Sequence, residues 1–212
     1  MQDNKAIITT NEITNQHLVM KDNSLIMSSY TLSVEEQRLI LACIEKAQRK
    51  QAPLKSEAIE ITFSVNEYAN IYNVHMATAY KTLKTASDKL YERSITIEDE
   101  GLTRNVRWLQ EKAIYDSGRV KLTFSSTVSK HIRDIVTERS IYSLEQATQL
   151  RSQYAIRFFE IFKMVIDPET QEGSWEVTLD KLKELFEIKD LYSRWVDLKK
   201  RVIIDSLQQI NQ

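Results

Sequence analysis

The sequence predicts an α+β fold of two winged helix-turn-helix domains in tandem, the second of which lacks its wing. Three observations lead to this prediction. Residues 64–124 follow the order short helix, tight turn, longer helix and strands, which is the order of a winged helix. A similar apolar spacing recurs 114 residues later, and the last predicted helix carries cations opposite its apolar side.

The composition is that of a chain able to bury a core. Of 212 residues, 42% are hydrophobic and only 3 are Gly and 2 are Pro, so long flexible linkers are not expected. No apolar run approaches the roughly 20 residues of a membrane-spanning helix, and the N-terminus lacks the apolar stretch of a signal peptide. A single cysteine, Cys43, excludes an intrachain disulfide. We therefore expect a cytoplasmic protein without membrane association.

Two capping boxes mark helices in the first half of the chain. Ser33 with Glu36 predicts a long helix, and Ser64 with Glu67 predicts a short one. Apolar residues alternate over 59–63, between the two helices, and predict a half-buried strand.

A longer helix is predicted over about 76–91, after a tight turn at 73–75. Strands are predicted over 95–97, 104–115 and 120–124, and a further helix over 126–136. The inner face of the longer helix consists of apolar residues at helical spacing: Met76, Ala79, Tyr80, Leu83, Ala86 and Leu90.

The pattern then starts again. A strongly apolar helix is predicted over 154–165, a short strand at 175–177, and a short helix that Thr178 caps and whose inner face begins at Leu179. A final helix is predicted over about 193–210. Its apolar side consists of Trp195, Leu198, Val202, Ile203 and Ile210.

The repeat sets the domain limits. Five apolar residues of the first unit each lie 114 residues before an apolar residue of the second: Phe63, Val65, Tyr68, Ile71 and Tyr72 match Val177, Leu179, Leu182, Leu185 and Phe186. We expect an N-terminal domain over 18–136 and a C-terminal domain over 137–212. Because wing strands should follow the last helix and the sequence stops at Gln212, we expect the C-terminal domain to be truncated.

Cations on the final helix are the strongest functional signal. The net charge of −1 argues against DNA binding unless the cations cluster. Arg194, Lys200 and Arg201 point outward from the half of a recognition helix that contacts base edges, so they are candidates for base reading. Lys199 lies near the apolar boundary and is a candidate for a backbone contact. The alternative is an ordinary solvated helix face.

The longer helix of the first unit offers weaker candidates. Thr78, Lys81, Lys84 and Lys89 carry hydroxyl and amino groups, which suit contacts with phosphates more than base reading. Their alternative role, as ordinary surface residues, is about equally well supported. For Arg104 and Arg107 in the following strand, the surface role is favoured.

Catalytic and cofactor signatures are absent from the sequence. His17, His75 and His131 are scattered without metal-ligand spacing, so we expect no metal, and a metal-dependent nuclease or a rolling-circle initiator is disfavoured. With 3 Gly there is no phosphate-binding loop, and we expect neither a cofactor nor an enzyme. Cys43 fits a core position, as do the three tryptophans, Trp108, Trp175 and Trp195.

Several segments resemble one known family, the theta-type, iteron-binding Rep proteins that initiate plasmid replication. The resemblance runs from about Leu18 to Asn211. It is carried by residues 19–26 (VMKDNSLI), 30–33 (YTLS), 36–41 (EQRLIL), 79–84 (AYKTLK), 88–90 (DKL), 153–160 (QYAIRFFE), 192–202 (YSRWVDLKKRV) and 209–211 (QIN).

The resemblance implies a division of labour. The C-terminal domain would read iterons in the major groove, with Arg194 and Lys200 as base readers and Arg201 close by. The N-terminal domain would contact the neighbouring DNA backbone and form a homodimer. Monomers would initiate replication, dimers would repress the promoter of the rep gene, and the partners would be the host initiator, helicase and chaperones.

Two other functions fit the same residues. A winged-helix transcriptional regulator would bind an operator, marked by a lone inverted repeat where an origin has iterons. A dimerising interaction module would show no salt-dependent DNA binding, since salt dependence follows from phosphate contacts.

Overall fold

The computed structural model describes residues 17–49, 58–99, 101–133 and 139–212. The strands in these ranges are β1 Leu18–Asp22, β2 Glu60–Ser64, β3 Ser94–Asp99, β4 Leu102–Arg107, β5 Leu109–Tyr115, β6 Arg119–Phe124 and β7 Arg139–Ser143. The helices are α1 Asn23–Ile26, α2 Val34–Arg49, α3 Val65–Tyr72, α4 Met76–Glu92, α5 Ser126–Arg133, α6 Leu144–Thr148, α7 Gln153–Val165, α8 Leu179–Leu185, α9 Trp195–Leu198 and α10 Asp205–Ile210. A π-helical segment, Lys199–Ile204, joins α9 to α10, and we call the continuous stretch 195–210 the terminal helix.

The predicted helix starts of the first unit are confirmed. The Ser33 amide donates to Glu36 at 2.7 Å and the Glu36 amide donates to the Ser33 hydroxyl at 3.3 Å, which completes the first capping box. Ser64 and Glu67 form the second box in the same way. The chain then turns through Asn73, whose left-handed conformation (φ 47°) ends α3 and lets α4 begin three residues later.

The strands form two antiparallel sheets around α3 and α4. β2, β6 and β5 lie side by side in that order, and β3 pairs with β4 in a separate hairpin. The predicted single strand over 104–115 is therefore two strands. It breaks at Trp108, whose side chain is fully buried and whose amide donates to the Arg93 carbonyl at 3.2 Å.

A third sheet joins distant parts of the chain and was not predicted. β1 pairs antiparallel with β7, from Leu18 opposite Ser143 to Asp22 opposite Arg139. A pairing between residues more than a hundred positions apart leaves no local mark in a sequence. The expected domain limit at 136–137, like the end of the predicted helix over 126–136, lies outside the described residues.

Helix α7 contributes to both hydrophobic cores, which explains why its sequence is apolar nearly all round. Ala155, Ile156 and Phe159 belong to the larger core, together with α2, α4 and the sheets. Tyr154, Phe158 and Ile161 belong to the smaller core, with Leu182, Leu185, Phe186, Ile188, Leu198 and Val202. The two units thus share α7, which packs against both hydrophobic cores.

A buried polar cluster also connects α7 to the first unit. The Lys21 ammonium lies 2.8 Å from the Glu160 carboxylate, which also accepts a hydrogen bond of 2.6 Å from the Tyr142 hydroxyl. Burial lowers the pKa of Lys21, but the charge and hydrogen bond of Glu160, together with the charge of Tyr30, outweigh burial, so the pKa is raised. The Arg157 guanidinium lies 3.7 Å from the centre of the Tyr30 ring and donates to the Ser28 carbonyl at 2.8 Å. These contacts fix the position of α7.

The predicted strand at 175–177 is wrong. Residues 171–178 have no regular structure, and no strand within the described ranges pairs with them. Alternation of apolar residues makes a strand only where a partner supplies its hydrogen bonds. Among the described residues, no helix combines the length and the apolar character that a membrane crossing needs.

Candidate nucleic-acid interface

The second helix-turn-helix presents the terminal helix on its outside. The Thr178 hydroxyl caps α8 by accepting from the Lys181 amide at 3.2 Å, as predicted. The chain then crosses 186–194 with Glu187 and Tyr192 in the left-handed region (φ 52° and 56°). Leu198, Val202 and Ser206 are completely buried and fix one side of the terminal helix to the smaller core. The other side is free to meet a partner.

The predicted base-reading residues lie on that exposed side. Arg194 is the N-cap residue, its side chain is 75% exposed, and its Nε donates to the Asp197 carboxylate at 2.8 Å. This hydrogen bond is the main reason that the pKa of Asp197 is lowered, and the charges of Arg194, Arg201 and Lys200 lower it further. Arg194 lies three residues before Asp197, and Lys200 and Arg201 lie three and four residues after it, so the three cations are neighbours of one carboxylate on the helix surface.

The three consecutive cations Lys199, Lys200 and Arg201 are exposed and open the π-helical segment. There the Asp205 amide donates to the Lys200 carbonyl five residues earlier, where an α-helix would use the carbonyl four residues earlier. The predicted helix over 193–210 is confirmed in extent, beginning at Trp195. The prediction that this helix is α-helical throughout is wrong for Lys199–Ile204, because the spacing of apolar residues does not reveal a π-helical segment. Within the described ranges, none of these three cations has an ion-pair partner.

Two expectations about the core of this unit are wrong. Trp195, predicted to face inward, is 52% exposed, and its neighbour Val196 is 68% exposed. Trp195 is the first residue of the terminal helix, one turn before Leu198, which is completely buried in the smaller core. Leu179, the first residue of α8, is likewise 40% exposed. Helical spacing places such residues on the inner face but does not show where the core ends.

Helix α4 presents the weaker candidates. Thr78, Lys81, Lys84 and Lys89 are all exposed, and in the described part of the chain none of the three lysines forms an ion pair. Ala79, Leu83, Ala86 and Leu90 are buried as predicted. Met76 and Tyr80, also predicted to face inward, are 50% and 48% exposed. Met76 begins α4 three residues before the completely buried Ala79, just as Trp195 begins the terminal helix three residues before the completely buried Leu198.

The arginines of the neighbouring hairpin differ in their contacts. Arg107 lies 3.3 Å from the Glu92 carboxylate in an exposed ion pair, while Arg104 is exposed on the same strand. Both placements agree with ordinary surface roles, which the sequence favoured for them.

Correspondence between the two units continues into their second helices. Ala79, Leu83 and Ser87 are completely buried, and each lies 119 residues before a completely buried residue, Leu198, Val202 and Ser206 respectively. By the same offset His75 corresponds to Arg194, Ala77 to Val196 and Lys81 to Lys200. Since α3 and α8 begin 114 residues apart, the connection between the helices is longer in the second unit.

The sequence assigned no role to two residues that lie beside these cations, Asp197 and Val196. A signal for Asp197 was present, because an Arg and an Asp three residues apart are neighbours on a helix surface. No signal marked Val196, since exposure of an apolar residue has no pattern of its own.

Within the part of the chain that the structure describes, no cluster of three or more His, Cys, Asp or Glu side chains could hold a metal ion. Cys43 is buried, as predicted, and burial raises the pKa of its thiol to about 12. His75 lies exposed in the turn before α4.

Comparisons with known proteins agree with this architecture. Two family models match the chain, "Initiator Replication protein, WH1" over residues 18–163 and "Initiator Rep protein, WH2" over 178–212. A curated "Replication initiation protein" of Escherichia coli is 25% identical over 199 residues, which cover 92% of this chain and 62% of the relative. The chain thus spans less than two thirds of that relative's length.

Solved structures of similar fold include a Pi initiator protein in complex with iteron DNA. It matches with a TM-score of 0.74 and 16% identity over 92% of this chain and 86% of that chain. The WH1 domain of a replication protein isolated from a multiple sclerosis patient is 28% identical over 62% of this chain and 96% of that one, with a TM-score of 0.44.

Proposed function

Since the WH1 family model alone covers most of the chain, this protein belongs to the initiator replication proteins, and we propose that it initiates plasmid replication by binding iterons at the origin. The Pi initiator, which has the same fold, is solved in complex with iteron DNA. The proposal rests mainly on the group of Arg194, Lys200 and Arg201 around Asp197. These residues lie at the exposed start of the second helix of a helix-turn-helix. Such a helix start is the part that enters the major groove.

Arg194 is held in a geometry that suits base reading. Its Nε is occupied by Asp197, so the two terminal amino groups are left to donate. A guanidinium pairs with guanine through O6 and N7, and a side chain already oriented loses less entropy on binding. Lys200 and Arg201 extend the contact along the next turn.

Helix α4 has the second role in the proposal. Thr78, Lys81, Lys84 and Lys89, with Lys199 of the terminal helix, would contact the phosphate backbone beside the sequence that the terminal helix reads. The absence of ion-pair partners for these lysines within the described residues supports this role, since their charges are available to phosphates.

The remaining parts of the proposal follow from the family. Initiation is non-catalytic and takes place in the cytoplasm, with the host initiator, helicase and chaperones as partners. A homodimer forms through the first unit, whose strands expose large apolar side chains, among them Leu102, Ile114 and Tyr115.

A binding selection tests the proposal. The 212-residue chain is incubated with a randomised duplex library, and the recovered sequences are compared with the plasmid that carries its gene. We expect one motif that occurs there as direct repeats, with an affinity that falls steeply as salt rises. A motif present only as one inverted repeat beside a promoter would favour a transcriptional regulator. Recovery of no motif would overturn DNA-sequence recognition altogether.

A further inference from the structure

Two apolar side chains lie next to each other in the sequence at the start of the terminal helix, and the first of them, Trp195, was expected to face inward. Trp195 and Val196, which we call the apolar step, are 52% and 68% exposed. Neither belongs to the buried residues that form the larger and the smaller core. Adjacent exposure of this kind is unfavourable in water, so it points to a partner surface.

The first residue of the second helix is exposed in both helix-turn-helix units. Met76 lies at the position of α4 that corresponds to Trp195, and it is 50% exposed. Both helices therefore begin beyond their cores, with the first residue exposed. At the position of Val196 the first unit has Ala77, so only the second unit places a branched apolar side chain there.

Charges around the apolar step decide which partner fits. Residues 194–201 carry four cations, Arg194, Lys199, Lys200 and Arg201, and one carboxylate, Asp197. Val196 and Lys200 are four residues apart, so they are neighbours on the helix surface. An apolar side chain within a cationic rim matches the major groove, where the 5-methyl group of thymine is an apolar feature between anionic phosphates.

We infer that the apolar step reads thymine, with Val196 in contact with the 5-methyl group in the major groove next to the base that Arg194 reads. This inference rests on the proposed DNA binding and adds a second kind of base recognition to it. Val196 makes an apolar contact with its base, whereas Arg194 donates hydrogen bonds. The recognised sequence then contains a thymine beside its guanine, and the chain distinguishes thymine from uracil, which lacks only that methyl group.

Methyl deletion in the DNA tests the inference. The selected duplex is prepared with deoxyuridine in place of thymidine at each position in turn, and Kd is measured by fluorescence anisotropy. We expect a loss of about three- to fivefold at one or two positions, as burial of one methyl group implies. Val196→Ala should bind the thymine duplex with the same deficit and no longer distinguish the two bases.

Ile204→Ala is the matched control. Ile204 is 38% exposed on the same helix but lies two turns further along, roughly 12 Å away at the rise of an α-helix. This variant should keep the full thymine preference. Since Val196 and Ile204 are exposed, both variants should keep the wild-type circular dichroism and melting temperature, so that any change in Kd arises at the DNA.

The outcomes separate the inference from the proposed function. If binding is sequence-specific but uracil is bound as tightly as thymine at every position, the inference that Val196 reads thymine is wrong. The initiator proposal is unaffected by that result. The same holds if Val196→Ala keeps the full preference for thymine. If the library yields no motif, the proposed function fails, and the inference fails with it.

Discussion

The two helix-turn-helix units bury corresponding residues and expose different ones. Ala79, Leu83 and Ser87 fix α4 to its core as Leu198, Val202 and Ser206 fix the terminal helix, at one constant offset. The exposed sides differ in chemistry. The first unit has His75 and Ala77 where the second has Arg194 and Val196. One scaffold therefore carries two surfaces, of which only the second has guanidinium groups.

This difference supports the proposed division of labour between general and sequence-specific contacts. Hydroxyl and ammonium groups reach phosphates without regard to sequence, whereas a guanidinium matches the edge of guanine. The overall charge of −1 is compatible with DNA binding because the exposed side of the terminal helix carries a local group of cations, with Arg194, Lys199, Lys200 and Arg201 inside eight residues. Four predictions test how far the correspondence holds.

The largest effect should come from the shared anchor positions. Leu83→Ala and Leu198→Ala each remove a completely buried side chain, so each should lower the free energy of unfolding by about 2–5 kcal/mol. Urea denaturation measures this. Leu191→Ala, at a residue that is 52% exposed, is the control and should change it by less than about 0.5 kcal/mol. If Leu198→Ala lowered the free energy of unfolding only slightly while Leu83→Ala lowered it by the expected amount, the terminal helix would not be anchored to its core as α4 is.

Arg194→Ala should have the next largest effect, and only on selected DNA. We expect a loss of about 1–3 kcal/mol on the selected duplex and much less on random DNA, because a base contact is removed. His75→Ala, at the corresponding position of the first unit, should change neither value appreciably. Equal losses of Arg194→Ala on both duplexes would show that Arg194 does not read bases.

Lys81→Ala and Lys200→Ala compare corresponding lysines directly. Lys81→Ala should weaken binding to all sequences alike and reduce the slope of log K against log salt by about 0.9, as loss of one phosphate contact does. Lys200→Ala should cost more on the selected duplex than on random DNA. Titrations at several salt concentrations distinguish them, and the same behaviour in both variants would contradict a division between the units.

The smallest effect concerns pH. The hydrogen bond from Arg194 lowers the pKa of Asp197, so this carboxylate stays charged well below pH 5, and the pair should persist throughout pH 5–8. The ratio of specific to random binding should therefore change less than about twofold over this range. Asp197→Asn should reduce that ratio at every pH, since Arg194 loses its charged partner. A ratio that falls as pH drops from 8 to 5 would contradict the role given to this pair.

Local signals in the sequence were enough to predict much of the fold. The capping residues Ser33, Ser64 and Thr178 mark helix starts through bonds within four residues, and all three are confirmed. The pairing of β1 with β7 and the cluster around Glu160 depend on distant residues, so no local pattern reveals them.

The exposure of the cations at the candidate site could be predicted from the sequence, but the exposure of its apolar residues could not. Charge spacing placed Arg194, Lys200 and Arg201 on one exposed side, and the structure brings them around Asp197. The inward placement of Trp195 failed because periodicity assigns a side of a helix without showing how far the core extends along it. The same reason accounts for Met76.

Dimethyl sulfate footprinting tests the central claim most directly, because this reagent methylates N7 of guanine, which lies in the major groove. With the selected duplex, we predict that the wild-type chain protects a guanine, that Arg194→Ala restores its methylation, and that Lys81→Ala leaves it protected. If no guanine is protected, or if Arg194→Ala leaves the protection unchanged, the terminal helix does not read bases through Arg194.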